Sequence, residues 1–307
     1  MAPPIVVLAG GTGGAKLARG MLDVVGSDLV VVANTADDVE VHGAYVSPDP
    51  DLITFWLADE IDRRGWGLRG DTFAVMDALR KMGEDVWFNL GDRDLAIGLR
   101  RARRLAEGAR RTEVAAELAE TFGIDARVLP MSDAPVRTSV TTTEGRLAFQ
   151  EYFVRDKAQG EVVAVAYDGA ATARPAPGVV EAIAGADLVL VCPSNPVTSI
   201  GPILAVPGIV AALGSTRAPI VGVSPIVGGA PVSGPAGRLM QARGLDVSPL
   251  GVAAAYAPWL RTLLIDARDA KLADALGEAG VKAVAADIVM TDRASEIALA
   301  RRVLEAA

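Results

Sequence analysis

Six short apolar runs alternate with helix-like segments, and this alternation restricts the fold more than any other feature of the sequence. The runs are "IVVLA" from Ile5, "DLVVVAN", "DVWFNLGD", "ADLVLVCPSNP", "APIVGVSPIVGG" and "VKAVAADIVM". Runs of this length rich in β-branched residues read as strands, and apolarity without a polar alternation reads as burial on both faces. The chain is therefore expected to be α/β, with a mostly parallel sheet buried between helices and its ligands at the carboxyl ends of the strands. Most of the runs end in a polar, glycine-rich or proline-rich loop, so those loops should converge. With 307 residues, 51% of them hydrophobic, there is enough apolar surface for a sizeable core. No long low-complexity linker divides the chain, and a single domain over 1–307 is expected.

One stretch breaks the rhythm. Leu99 to Phe122 reads as helix, and "VRTSVTTTEGRLAFQEYFVR" reads as two strands joined at Glu144-Gly145, which together predict an inserted helical and hairpin lobe over about 99–158. The run "LRRARRLAEGARR" within it carries Arg100, Arg101, Arg103, Arg104, Arg110 and Arg111. Such a run is more often a solvated helix face than a phosphate site.

The net charge of −8 disfavours broad nucleic-acid binding, although an anionic nucleotide can still be held locally. A single cysteine, Cys192, is too few for a disulfide framework or a cysteine-rich metal site. No charged leader precedes an apolar run, and no apolar stretch approaches a membrane span. The expectation is a cytoplasmic protein without a membrane partner.

The first strand runs into "GGTGGAKL", Gly10 to Leu17. A phosphate-binding P-loop requires glycine directly before the lysine and a hydroxyl residue after it, whereas Ala15 and Leu17 flank Lys16 here. A dinucleotide fingerprint starting at Gly11 and Gly13 would need its third glycine at Lys16. Both fail, and with the second goes an NAD-dependent oxidoreductase. What remains is a set of glycines that allow close backbone approach, and a helix from about Ala15 whose positive end faces an anion. An ordinary strand-to-helix turn is the competing reading.

The second strand ends in "NTADDVEVHGAYVSPDPD", which gathers Asn34, Asp37, Asp38, His42, Asp49 and Asp51. Carboxylates this close repel one another unless a positive group joins them. Oxygen ligands with one histidine and no nearby cysteine suit magnesium or a similar divalent ion, with Asp37, Asp49 and Asp51 as candidate ligands. Turn formation and helix capping are the plain alternatives for these aspartates. Three further strand-end loops add Asn89, Asp92 and Asp94; Ser194, Asn195 and Ser199; and Ser224 with Gly228 and Gly229. Together they suggest a polar rim around a phosphorylated ligand.

The combination of GGTGGAKL, NTADD followed by HG, SPDPD, WFNLGDRD, LPMSD, FQEYFVR, PSNPVTSIGPIL and SPIVGG closely resembles the CofD/FbiA family, the phospholactate or phosphoenolpyruvate transferases of coenzyme F-420 biosynthesis. The likeness runs from the first strand to about Gly229 and continues more weakly to "VMTD". It implies a Rossmann-like core, a divalent cation and a homodimer. It also implies transfer of a phospho-acyl unit from a guanosine diphosphate-linked donor to the ribityl hydroxyl of the deazaflavin Fo, releasing GMP.

On that resemblance the donor's diphosphate falls to the amides of Gly10, Gly11, Thr12, Gly13 and Gly14 rather than to Lys16, with Asn34 and Asp94 also at the substrates. Asp37 with Asp49 or Asp51 would hold the ion. Asp37, His42, Asn89 and Asp92 are the candidate catalytic residues, and Ser194, Asn195, Ser224, Gly228 and Gly229 would line the donor or the deazaflavin. Trp56, Trp87 and Trp259 are candidates to pack on its ring, although a buried tryptophan is more often core. The rival is a nucleotide-sugar-binding regulator related to gluconeogenesis factors, without turnover. Its glycine- and serine-rich continuation is replaced here by "VEVHGAYVSPDPD". The acyl group is not legible in any single residue.

Overall fold

A computed structural model describes residues 3–307. Seven strands form one wholly parallel sheet: β1 (Ile5–Ala9), β2 (Leu29–Ala33), β3 (Arg127–Pro130), β4 (Leu188–Val191), β5 (Ile220–Val223), β6 (Thr262–Asp266) and β7 (Lys282–Ala286). Their spatial order is β3-β2-β1-β4-β5-β6-β7, the Rossmann order with one added edge strand. In-register pairing puts Ile5 beside Leu29 on one side and beside Leu188 on the other.

Every residue of β1, β2, β4, β5 and β6 is buried, because both faces are covered. The strand period of two sends Val6, Leu8, Val30 and Val32 into one core and Ile5, Val7, Val31 and Ala33 into the other. This two-sided burial is why the strands read as unbroken apolar runs. On the second face lie α1 (Gly11–Val25), α2 (Pro48–Leu57) and the C-terminal helix Arg293–Ala306. Short helices between residues 179 and 255 cover the first face. Among the described residues no single helix is long and apolar enough to cross a membrane.

Three expectations change. "DVWFNLGD" is not a strand, since residues 85–91 run as irregular chain. Val86, Trp87, Phe88 and Leu90 pack in a satellite cluster with Val41, Val46, Met76 and Leu95, so their apolarity serves a side lobe rather than the sheet. The helical reading from Leu99 resolves into two helices, Asp92–Ala106 and Arg111–Thr121. The lobe is not the contiguous span 99–158 either, because β3 returns to the main sheet in the middle of it. The predicted hairpin forms, as Arg137–Thr142 against Gly145–Ala148, and Val162–Asp168 adds a third antiparallel strand beyond the expected boundary.

The order of strands reverses between β1 and β4. In open parallel sheets such a switch point is where ligands bind, outside the carboxyl ends of the strands, and here the turn Pro196–Ile200 after β4 packs against it, with the Thr198 carbonyl on Asn34.

Candidate active site

Helix α1 begins at Gly11, four residues before the expected start, so the glycines form its first turn instead of a loop ahead of it. Gly11 has φ +65°, which favours glycine. No side chain caps the helix at Gly10, and the Gly11 amide donates to Asp49 Oδ1 at 2.8 Å. The next first-turn amides, from Thr12 onward, add to the positive end of the helix dipole.

The close approaches these glycines permit are made by the chain itself. A Cβ on Gly13 would lie 2.5 Å from the Pro193 carbonyl oxygen; one on Gly10 would lie 2.5 Å from Asp49 Oδ2, and one on Gly14 2.7 Å from Ser194 Oγ. Ser194 Oγ also donates to the Gly10 carbonyl at 2.7 Å. The motif therefore clamps α1 against the loop after β4. Lys16 points elsewhere: its ammonium donates to the Met290 carbonyl at 3.0 Å and lies 5.7 Å from the Trp56 ring centroid.

Just past the end of β2 lies Asn34, whose backbone amide donates to the Ala9 carbonyl. Its side-chain amide reaches three acceptors: Asp37 Oδ2 at 3.1 Å, Asp49 Oδ2 at 2.9 Å and the Thr198 carbonyl at 3.2 Å. Asn34 thus draws two buried carboxylates together at the start of α1. Burial first, then repulsion from Asp49, holds the Asp37 carboxyl well above the usual range. Burial likewise raises Asp49, opposed by its bonds to Asn34 and the Gly11 amide. Asp37 Oδ1 is buried without a hydrogen bond of good geometry, although the Thr138 hydroxyl lies close enough to oppose the rise of the carboxyl. A buried acceptor so poorly satisfied is costly, and a cation is one way to satisfy it.

Asp51, expected beside these two as a ligand, is engaged elsewhere. Its carboxylate makes a two-pronged pair with the buried guanidinium of Arg101, whose other amino group bonds Asp51 Oδ2 at 2.9 Å. Among the described residues no three His, Cys, Asp or Glu side chains are grouped to hold a metal. The carboxylate pair Asp37 and Asp49 is what the fold assembles.

The other expected residues lie as follows. His42 occupies the left-handed turn of the hairpin Val39–Val41/Ala44–Val46, with φ +51° and Nε2 2.9 Å from the Phe88 carbonyl oxygen. It lines a separate cavity with Tyr45, Arg110 and Arg111. Asn89 accepts from Arg80 at 2.7 Å. Asp92 accepts from Thr72 and from the amides of Ala74 and Val75, capping the helix Ala74–Lys81. Asp71 returns the arrangement by accepting from the Arg93 and Asp94 amides. Asp94 faces Asp51 and Arg101, and burial raises its carboxyl to about 7. Asn195 caps the turn Pro196–Ile200. Ser224 closes its own turn on Ile226. Gly228 and Gly229 form the tight turn of the hairpin Ile226–Val227/Ala230–Pro231, where the Gly228 amide donates to Asp269. The carboxyl ends of β1, β2 and β4 therefore gather Gly10 to Gly14, Asn34, Asp37, Asp49 and Ser194, with Ser199 packed against Gly10. His42, Asn89 and Asp92 are tied into the side lobe.

Several contacts escaped sequence reasoning. Asp38 accepts from Ser47 Oγ at 2.6 Å and from the Tyr45 hydroxyl at 2.9 Å, and burial raises its carboxyl to about 6 against these bonds and Arg137. Arg111 and Arg137 both donate to that hydroxyl. Gln150 donates to the Asp37 carbonyl at 3.2 Å, and Tyr167 to the Val197 carbonyl. Within the arginine run read as solvated, Arg101 is buried. The available signal was the stripe Leu95, Gly98, Arg101, spaced by three along one helix face.

The sequence model of the family described as 2-phospho-L-lactate transferase CofD matches residues 5–304. A 2-phospho-L-lactate transferase of Methanosarcina acetivorans is 42% identical over 289 residues, covering 94% of each chain. A phosphoenolpyruvate transferase of Kitasatospora aureofaciens is also 42% identical, covering 98% of this chain and 96% of its own. Among solved structures, a upf0052-family protein from Bacillus halodurans superposes with a TM-score of 0.67 over 99% of both chains at 17% identity, a likeness of fold.

Proposed function

The chain belongs to the CofD family of 2-phospho-L-lactate transferases, and from that premise we propose that it moves a phospholactate or phosphoenolpyruvate unit from a guanosine diphosphate-linked donor to the ribityl hydroxyl of the deazaflavin Fo, releasing GMP. Relatives named for each of the two acyl groups stand at equal identity, so the proposal covers both. The observation that carries it is the meeting, at one switch point, of a helix N-terminus with a buried carboxylate pair that has one poorly satisfied oxygen.

In the proposed reaction the hydroxyl oxygen bonds to the phosphorus distal to guanosine. The anhydride bond on the guanosine side breaks, its electron pair leaves on the GMP phosphate, and the hydroxyl proton passes to the site's carboxylates and on to water. The first turn of α1 directs its amide dipoles at the diphosphate, where fixed donors aid a step in which negative charge moves toward the leaving group. Asn34 holds Asp37 and Asp49 in register with that turn, and Ser194 holds the Gly10 end of it against the β4 loop.

A divalent cation fits the donor set. Asp37 Oδ1 lacks a hydrogen bond of good geometry, Asp49 lies beside it, and two carboxylates completed by phosphate and water oxygens are a usual magnesium complement. Such an ion would neutralise charge on the donor phosphates.

The test offers Fo, guanosine-linked phospholactate and phosphoenolpyruvate donors and magnesium to purified protein, and identifies products by mass. A phosphodiester of Fo with GMP is the expected result. Tight binding of a nucleotide sugar with no turnover of any donor would overturn the reading in favour of a regulator.

A further inference from the structure

Asp37 is approached by the antiparallel sheet as well as by Asn34. The Thr138 amide donates to the Ala36 carbonyl at 2.8 Å, which sets the strand Arg137–Thr142 against the turn that carries Asp37. Gln150, only 7% exposed, donates from Nε2 to the Asp37 carbonyl at 3.2 Å. The Thr138 side chain, in a residue 1% exposed, brings its hydroxyl beside the Asp37 carboxyl. There neither Thr138 Oγ1 nor Asp37 Oδ1 has a hydrogen bond of good geometry.

That hydroxyl is out of keeping with its own strand. Alternate residues of a strand share a face, and the face of Thr138 also carries Val136 and Val140, both buried in one core with Tyr152 and Val165. Valine has nearly the shape of threonine, so packing alone would be served by an apolar row throughout. A buried hydroxyl without a bond is destabilising, and the fold elsewhere avoids it: Thr54 and Thr142, also buried, donate to the Pro50 and Gly145 carbonyls at 2.8 and 3.2 Å. The Thr138 hydroxyl has no such carbonyl, and the polar group it faces is Asp37.

We propose that Thr138 is a positioning residue: its hydroxyl donates to Asp37 Oδ1 and fixes the rotation of the carboxylate, an assignment that rests on the transferase reading above. Asn34 already donates to Oδ2 at 3.1 Å. With one donor on each oxygen the plane of the carboxylate is set, and each oxygen keeps a lone pair for a cation or for the attacking hydroxyl. Gln150 holds the backbone of the same residue, so the antiparallel sheet fixes both ends of Asp37. Hydrogen bonds of this kind behind a metal-binding carboxylate are typically worth 10–100-fold in metal affinity or activity.

The experiment compares Thr138→Val and Thr138→Ser with the wild type. Each is melted in chelator and across a magnesium series, whose rise in Tm reports the affinity for magnesium alone, and each is assayed for kcat and KM. Thr138→Val should melt in chelator at or above the wild type, because it removes a poorly satisfied hydroxyl and leaves no cavity. It should nevertheless bind magnesium about 10–100-fold more weakly, and at saturating magnesium it should lose kcat while the KM for donor and for Fo stays within about twofold. Thr138→Ser keeps the hydroxyl and loses a methyl group, so it should melt lower and yet recover the magnesium affinity. Stability and affinity then move in opposite directions in the two variants, which a packing role does not produce. Wild-type magnesium affinity and kcat in Thr138→Val, or a Thr138→Ser protein no better than Thr138→Val, would overturn the assignment and leave the transferase reading standing. A wild type that turns over no donor would remove the transferase reading, while the magnesium series in the two variants would still decide the part played by Thr138.

Discussion

The Arg101–Asp51 pair decides whether Asp51 belongs to the chemistry or to the frame. Both side chains are about 95% buried, and Arg101 also donates to the Tyr45 carbonyl at 3.0 Å. Removing one partner from such a pair leaves an uncompensated buried charge and destabilises by about 3–5 kcal/mol, whereas replacing both by apolar groups is often neutral. Unfolding entropy of about 2.1 cal/mol/K per residue, over 307 residues, converts each kcal/mol into roughly 1.6 °C of Tm. Arg101→Met or Asp51→Asn alone should therefore lower Tm by roughly 5–8 °C. The double variant Arg101→Met/Asp51→Leu should recover most of that loss. Calorimetric melts of the four proteins give the coupling directly, and a magnesium titration of activity below the lowest Tm gives the functional side. Non-coupled, additive losses would refute the pair. An unchanged Tm for Asp51→Asn with a many-fold higher magnesium requirement would return Asp51 to the ligand set.

Asp37→Asn should abolish most turnover and yet melt no lower than wild type in chelator at pH 8, because it removes a buried carboxylate crowded by Asp49; residual wild-type rates would remove Asp37 from the mechanism. Gly13→Ala should lower Tm by roughly 2–5 °C and weaken GMP binding, since its Cβ meets the Pro193 carbonyl at the scale of an overpacked contact, about 1–3 kcal/mol. Lys16→Ala should leave GMP binding near wild type, and the reverse order in a binding assay would favour a P-loop-like role for the lysine. Asp94 titrates at about 7 when folded, raised first by burial and then by Asp51, so its contribution to stability is full below about pH 4 and is lost as pH rises through about 7. The Asp94→Asn protein should accordingly show a flatter Tm between pH 5 and 7.5 than the wild type, and equal slopes would mean the group is solvated.

The sequence alone determined the parallel α/β core, because two-sided burial writes itself as apolar runs that need no partner to be recognised. It also placed the glycine-rich turn after the first strand and the acidic residues after the second at one edge of the sheet, since parallel strands end on the same side. What Gly13 approaches could not be read there: the Pro193 carbonyl is 180 positions away, and a glycine looks the same whether it clears space for a phosphate or for the chain's own backbone. The same holds for charge. Asp49 and Asp51 are two residues apart in one helix turn, yet α2 directs one toward Asn34 and the Gly11 amide and the other toward Arg101, fifty residues on. "DVWFNLGD" has the composition of a strand, but β3 holds the place beside β2 and the segment packs on the side lobe instead. Local pattern fixes which residues are apolar or acidic, and only the long-range packing of the chain decides which partner satisfies each of them.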